Sequence, residues 1–187
     1  MSDLNANLAL EALRRTGAEL ALHGVATLIE LVLMGSTAGL FAGALAANRV
    51  TSDCDVAWPR RDHPNWVMLS RAAEAVADAL GLPREWLNYK AQVWSRYLPL
   101  GWRERCEEVG QFGPLVVQRI SRVDLICTKI FGAPRRPQDL DDLLAIRPTL
   151  AELEFARAHL ERVRSEDLSR GEYDDVEAVL DALERLA

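Results

Sequence analysis

The chain has 187 residues, 49% hydrophobic and 27% charged, which suits one domain with a sizeable core and excludes a disordered or fibrous protein. The longest apolar stretch noted, "VATLIELVLMG", is far too short to span a membrane, and three widely spaced cysteines do not make a disulfide framework. The net charge of −6 hides a division: residues 84–138 carry 10 basic and 5 acidic side chains, and residues 139–187 carry 6 basic and 14 acidic ones.

A basic middle in an acidic chain points to a local anion site and not to a surface that coats nucleic acid. The acidic end reads as a solvated helical face. The start "MSDLNANLAL" lacks the basic opening of a signal peptide, so a cytoplasmic protein with reduced thiols is expected. Three scattered histidines offer no zinc site.

Residues 4–22 have helical spacing, with Leu4, Leu8, Leu10 and Leu13 near one face. After His23 and Gly24, "VATLIELVLMG" is β-branched and apolar and predicts a buried strand ended by Gly35. "STAGLFAGALAAN" predicts a helix over 36–48 with Ser36 or Thr37 at its N-cap. "CDVAWP" predicts the next strand, and residues 64–81 an amphipathic helix with Pro64 near its first turn and Gly81 at its end.

Residues 83–112, with Trp86, Trp94, Trp102 and two prolines, predict irregular structure around short helices. "GPLVVQRIS" predicts a strand, "VDLICTKIFGA" a helix ending near Gly132, and "APRRPQD" a loop. From Asp139 onward helices are expected at 139–146, about 149–166 and 172–186, with breaks at Pro148 and Gly171. The order predicts an α/β core over residues 1–146, including the N-terminal helix, and a helical extension over 147–187 packed on it.

Two features inside this order carry chemistry. A strand that turns through Gly35 into a helix leaves backbone N–H groups free to meet phosphate oxygens, and Ser36 adds a hydroxyl. Downstream, Asp53 and Asp55 are two apart on a strand, so they share one face while Cys54 and Val56 point into the core. Two carboxylates on one face can hold Mg²⁺ with the help of phosphate oxygens and water; alone, such a pair equally describes a solvated strand edge.

Together, "MGSTAGLFAGALAANRVTSDCDVAW" resembles the signature of the polymerase-β-type nucleotidyltransferase superfamily: an "hG[GS]" turn, a helix, then "Dh[DE]h". The stretch Arg49 to Val56, "RVTSDCDV", is similar to the AbiE-type toxin nucleotidyltransferases and their uncharacterised relatives. A second block, "RVDLICTKIFGAPRRPQDLDDLLAI" (122–146), resembles the later block of that subgroup, with Lys129, Arg136, Asp139 and Asp142 on its polar positions. The likeness covers about residues 27–146.

The resemblance implies a small mixed β-sheet flanked by helices, with a helical C-terminal part. It implies transfer of NMP from an NTP to a hydroxyl acceptor, an RNA or tRNA end or a protein, with Mg²⁺ or Mn²⁺. The chain would then be the toxin of a toxin–antitoxin pair, with an antitoxin protein as partner. Asp53 and Asp55 would ligate the metal, and Gly35, Ser36 and Thr37 would cradle phosphates. Lys129 would neutralise departing pyrophosphate, Arg136 would bind the nucleotide, and Asp139 would support that site.

The family's usual third carboxylate has no clear counterpart; Asp124 is the candidate by position, and a role in helix capping is its alternative. An RNA acceptor would dock on the basic stretch Arg96, Arg103, Arg105, Arg119, Arg122 and Arg135. If the third acid is missing, a nucleotide-binding regulatory module with weak or no turnover is the alternative reading.

Overall fold

Strand β1 (Ile29–Met34) is apolar on both faces except at Glu30, because it runs through the middle of the sheet. The structure, a computed structural model, describes residues 4–166 and 173–187. Around β1 lie β2 (Cys54–Trp58), β3 (Leu87–Asn88), β4 (Glu107–Phe112) and β5 (Leu115–Arg119), in the order β3-β2-β1-β5-β4. β1 is antiparallel to β2 and parallel to β5; β2 and β3 are parallel, and β4 and β5 antiparallel. The chain is therefore α/β with a five-stranded mixed sheet.

Alternation along β1 feeds two apolar layers. Ile29, Leu31 and Leu33, with Cys54 and Val56 of β2, pack under helices α1 (Ala6–Leu22) and α3 (Pro64–Leu80). Val32 and Met34 face the other side. There they join α2 (Gly35–Phe41), α4 (Arg122–Gly132), α5 (Pro137–Ile146), α6 (Leu150–Glu166) and α7 (Asp174–Glu184) in one cluster that includes Phe131, Leu143, Leu160 and Leu180. The C-terminal helices thus share their apolar faces with α4, and Arg157 ties α6 to Asp181 (2.7 Å) and Glu184 (2.9 Å) of α7. No helix among the described residues is long and apolar enough to cross a membrane.

Local signals explain most boundaries. Asn5 caps α1 by accepting from the Leu8 N–H, Pro64 and Pro137 open α3 and α5, and Gly81 closes α3 at φ +65°. The structure corrects four expectations. Of the expected face Leu4 and Leu13 are fully buried, but Leu4 lies before α1, and Leu8 and Leu10 are only partly covered. The stripe the helix buries is Ala9, Ala12, Leu13, Thr16, Gly17 and Leu20, whose small residues let it approach closely enough to seat Gly17 on Phe112.

Helix α2 stops at Phe41 instead of running to Asn48, since Gly43 takes φ +62° and turns the chain. Its N-cap is Met34, with no side-chain cap, so neither Ser36 nor Thr37 fills that role. The stretch 83–112 holds β3 and β4 as well as two 3₁₀ helices, Lys90–Tyr97 and Arg103–Arg105. The expected break at Gly171 lies outside the described residues.

Candidate functional site

The β1–β2 pairing sets Met34 opposite Asp55, so the turn after β1 and the acidic start of β2 meet at one end of the sheet. Here Gly35 adopts φ +67°, and a Cβ on it would stand 2.6 Å from Oδ2 of Asp55. Glycine is needed twice over: for the left-handed backbone and for the close approach of the carboxylate. Cys54 and Val56 are fully buried on the opposite face, which leaves Asp53 and Asp55 together on the side of α4.

Both aspartates line a cleft of about 600 Å³, with Ser36, Arg49, Lys90, Trp94, Arg136 and Gln138 among the other walls. A small inner space that shares Ser36, Asp55, Trp94 and Arg136 with it is lined also by Gly35, Thr128, Lys129 and Asp139. The backbone carbonyl of Asp53 accepts from the hydroxyls of Thr37 (2.9 Å) and Thr51 (3.3 Å), and its Oδ2 accepts from Nδ2 of Asn88 (3.0 Å). Burial, then the adjacent charge of Asp53, pushes the Asp55 carboxyl up to about 7; Arg136 and Lys129 pull it back only in part.

Behind the cleft sits a closed charge network. Lys129, 3% exposed, donates to Oδ1 of Asp139 (3.0 Å) and Oδ2 of Asp142 (2.7 Å). Asp142 also accepts from the Ser36 hydroxyl (3.2 Å) and from Nε of Arg49 (3.1 Å). Arg136 lies 3.4 Å from the second oxygen of Asp139. The two sequence blocks, more than 100 residues apart where Ser36 meets Asp142, therefore form one site.

The structure thus brings together Gly35, Ser36, Asp53, Asp55, Lys129, Arg136 and Asp139. It places others elsewhere. Thr37 is buried at 1% exposure with its hydroxyl held by Asp53, so it cannot face a phosphate. Asp124 is fully buried away from the cleft lining, where Arg105 grips it through two bonds (2.6 and 3.1 Å) and the Ser121 hydroxyl through a third (2.6 Å). Ser121 is the N-cap of α4 and its hydroxyl accepts from the Asp124 N–H, so Asp124 belongs to the capped first turn of that helix, the expected alternative, and is not a third cleft acid. Asp139 and Lys129 are occupied with each other, which makes them supports of the cleft wall before anything else.

The basic stretch is partly engaged with acids of the same chain. Arg103 pairs with Glu30, Arg105 with Asp124, Arg119 with Glu107 and Arg122 with Glu152, so each of these four has a carboxylate partner, while Arg103, Arg105 and Arg122 keep about a third of their side chains exposed. Arg49 stood at the head of the first motif without a role assigned to it, and the structure places it against Asp142. The residues that the motifs missed are Asn88 and Trp94.

Among the described residues no group of three or more His, Cys, Asp or Glu forms a metal cage. Two carboxylates do fit a hard cation such as Mg²⁺ that keeps water and takes further oxygens from a bound phosphate. Fold and site together describe an α/β protein with a polar, two-carboxylate cleft at the end of its central strand. No family model, no curated protein and no solved structure matches the chain.

Proposed function

We propose that the cleft binds a Mg²⁺–nucleoside triphosphate and transfers its NMP group to a hydroxyl acceptor. One observation carries this reading: Asp53 and Asp55 converge on one wall of a cleft whose other walls present Arg49, Lys90 and Arg136. Paired acids facing cations suit an anion that arrives with a divalent metal. Asp53 and Asp55 would hold the ion, which when bound would offset charge on the phosphates and on the departing pyrophosphate.

The residues of the chain do the positioning. Ser36 and the open backbone at Gly35 sit where phosphate oxygens would enter, and Arg136 offers a planar fork for them. Lys129 acts from behind, fixing Asp139 and Asp142 and, through Asp142, the orientation of Ser36 and Arg49. The acceptor hydroxyl gives up its proton to solvent and its oxygen bonds to the α-phosphorus as the bond to pyrophosphate breaks. Positioning and fixed charge are what this chemistry chiefly needs.

An RNA end or a protein hydroxyl as acceptor, and an antitoxin as partner, belong to the same reading. The test is incubation of the protein with each α-labelled NTP, Mg²⁺ or Mn²⁺, and RNA or cell extract, beside Asp53→Ala and Asp55→Ala. Label that appears only with the unaltered chain supports transfer and identifies nucleotide and acceptor class; equal labelling by both variants overturns it. A second reading, a binding module without turnover, is favoured by the engagement of Asp124 with Arg105, and it expects NTP binding with no label transferred.

A further inference from the structure

Trp94 is the one aromatic side chain among the described residues that line the cleft, and it borders both the outer space and the small inner one. It is half-buried, on the 3₁₀ helix Lys90–Tyr97 that follows β3. Its ring is braced from behind: Tyr97 lies 5.9 Å away, Phe131 stacks on Tyr97 at 4.6 Å, and His159 closes the row at 5.4 Å from Phe131. The His159 ring is held by the Tyr97 carbonyl at 2.8 Å. The Arg136 guanidinium lies over one face of the Trp94 ring, 6.0 Å from its centroid, so a stacked base would slide between the two or displace the cation.

A large apolar ring is thus held rigid beside two carboxylates and a cation, in a cleft with few other apolar groups to cover it. The ligand that uses both parts has a charged, oxygen-rich end for the Asp53, Asp55 and Arg136 side and a flat aromatic end for the tryptophan. Resting on the reading of the cleft given above, we propose that Trp94 is the platform on which the base of the bound nucleotide stacks. Every base has a π-face, so such a platform selects weakly, holding all four NTPs and favouring the larger purines.

The experiment measures calorimetric affinity for each Mg²⁺–NTP and for Mg²⁺–tripolyphosphate, which has the phosphates and no base. The proteins are the unaltered chain, Trp94→Ala and Trp94→Phe. Trp94→Ala is expected to weaken NTP binding roughly 5- to 150-fold and to leave tripolyphosphate unchanged, with Trp94→Phe recovering most of the loss. Equal losses for NTP and tripolyphosphate, or no loss at all, would overturn the platform, because Trp94 would then be a wall residue only. Tripolyphosphate bound as tightly as the NTPs by the unaltered chain would also overturn it while leaving the anion cleft standing. Binding of neither ligand would remove the cleft reading itself, and this inference with it.

Discussion

The side-chain amide of Asn88 donates to Oδ2 of Asp53 across 3.0 Å, and Asn88 also stands opposite Asp55 in the β2–β3 register. A neutral donor therefore occupies the strand position nearest both acids. Asn88→Asp would replace that donor with a third negative charge. In metal-free buffer at pH 8 the variant should lose about 2–3 kcal/mol, or roughly 4–12 °C in Tm. Added Mg²⁺ should restore more of the loss than it adds to the unaltered chain. Thermal unfolding with and without the ion decides it; equal gains in both proteins would contradict a shared acidic site.

Asp55 titrates near 7 where an ordinary aspartate titrates at 3.8. The folded state therefore keeps a proton that the unfolded chain has already released, and stability falls as pH rises from about 4 to about 7. Above 7 the full penalty is present. Asp55→Asn should then stabilise the metal-free protein by about 2–4 kcal/mol at pH 8 and by almost nothing near pH 4. Urea titrations at the two pH values measure the difference, and a pH-independent gap would exclude this origin.

Asp142 is the acceptor shared by Lys129, Ser36 and Arg49. Asp142→Ala leaves a buried lysine with Asp139 alone and should lower stability by about 3–5 kcal/mol. Asp142→Asn, which keeps an acceptor oxygen, should lose less. Denaturant midpoints of the two variants give the order, and an alanine variant as stable as the unaltered chain would show the network to be decorative.

Gly35→Ala forces a Cβ against Asp55 at a backbone angle that alanine disfavours, whereas Gly43, at φ +62°, has nothing within 4 Å of a built Cβ. Gly43→Ala should thus lose only the backbone term, about 1–2 kcal/mol. Gly35→Ala should lose more, and should also abolish Mg²⁺–NTP binding, which Gly43→Ala should leave alone. Calorimetry on the pair separates strain from crowding of the acidic wall.

How much of this was legible in the chain depends on distance along it. β1, β2, α3 and α4 announced themselves through β-branched and apolar runs, Pro64, Gly81 and Gly132, all local signals. Strand β4, "EEVGQF", did not, because it is an edge strand with exposed Glu107, Glu108 and Gln111 and no buried face to impose alternation. The two-residue β3 is too short for any pattern.

The Asp53–Asp55 pair was visible because a spacing of two in extended chain fixes a common face, and Asp53 stands one residue before β2. The roles of Asp124 and the arginines were not, since their partners come from remote segments: Glu30 lies 73 residues from Arg103, and Glu152 lies 30 from Arg122. A charge count cannot tell an open basic patch from one already neutralised by folding. Trp94 was visible only as composition, because what makes it notable is the cleft it borders.

The same parity that turns Asp53 and Asp55 toward the cleft buries Cys54 on the other side of the sheet, while Cys127 is buried in the opposite layer and Cys106 is partly exposed. Both buried thiols are held in the unreactive form, Cys54 pushed up to about 12 chiefly by burial. Each can meet an alkylating reagent only when its own layer opens. The chain thus carries a stopwatch on either side of its sheet, and the ratio of the two labelling rates reports which half breathes first.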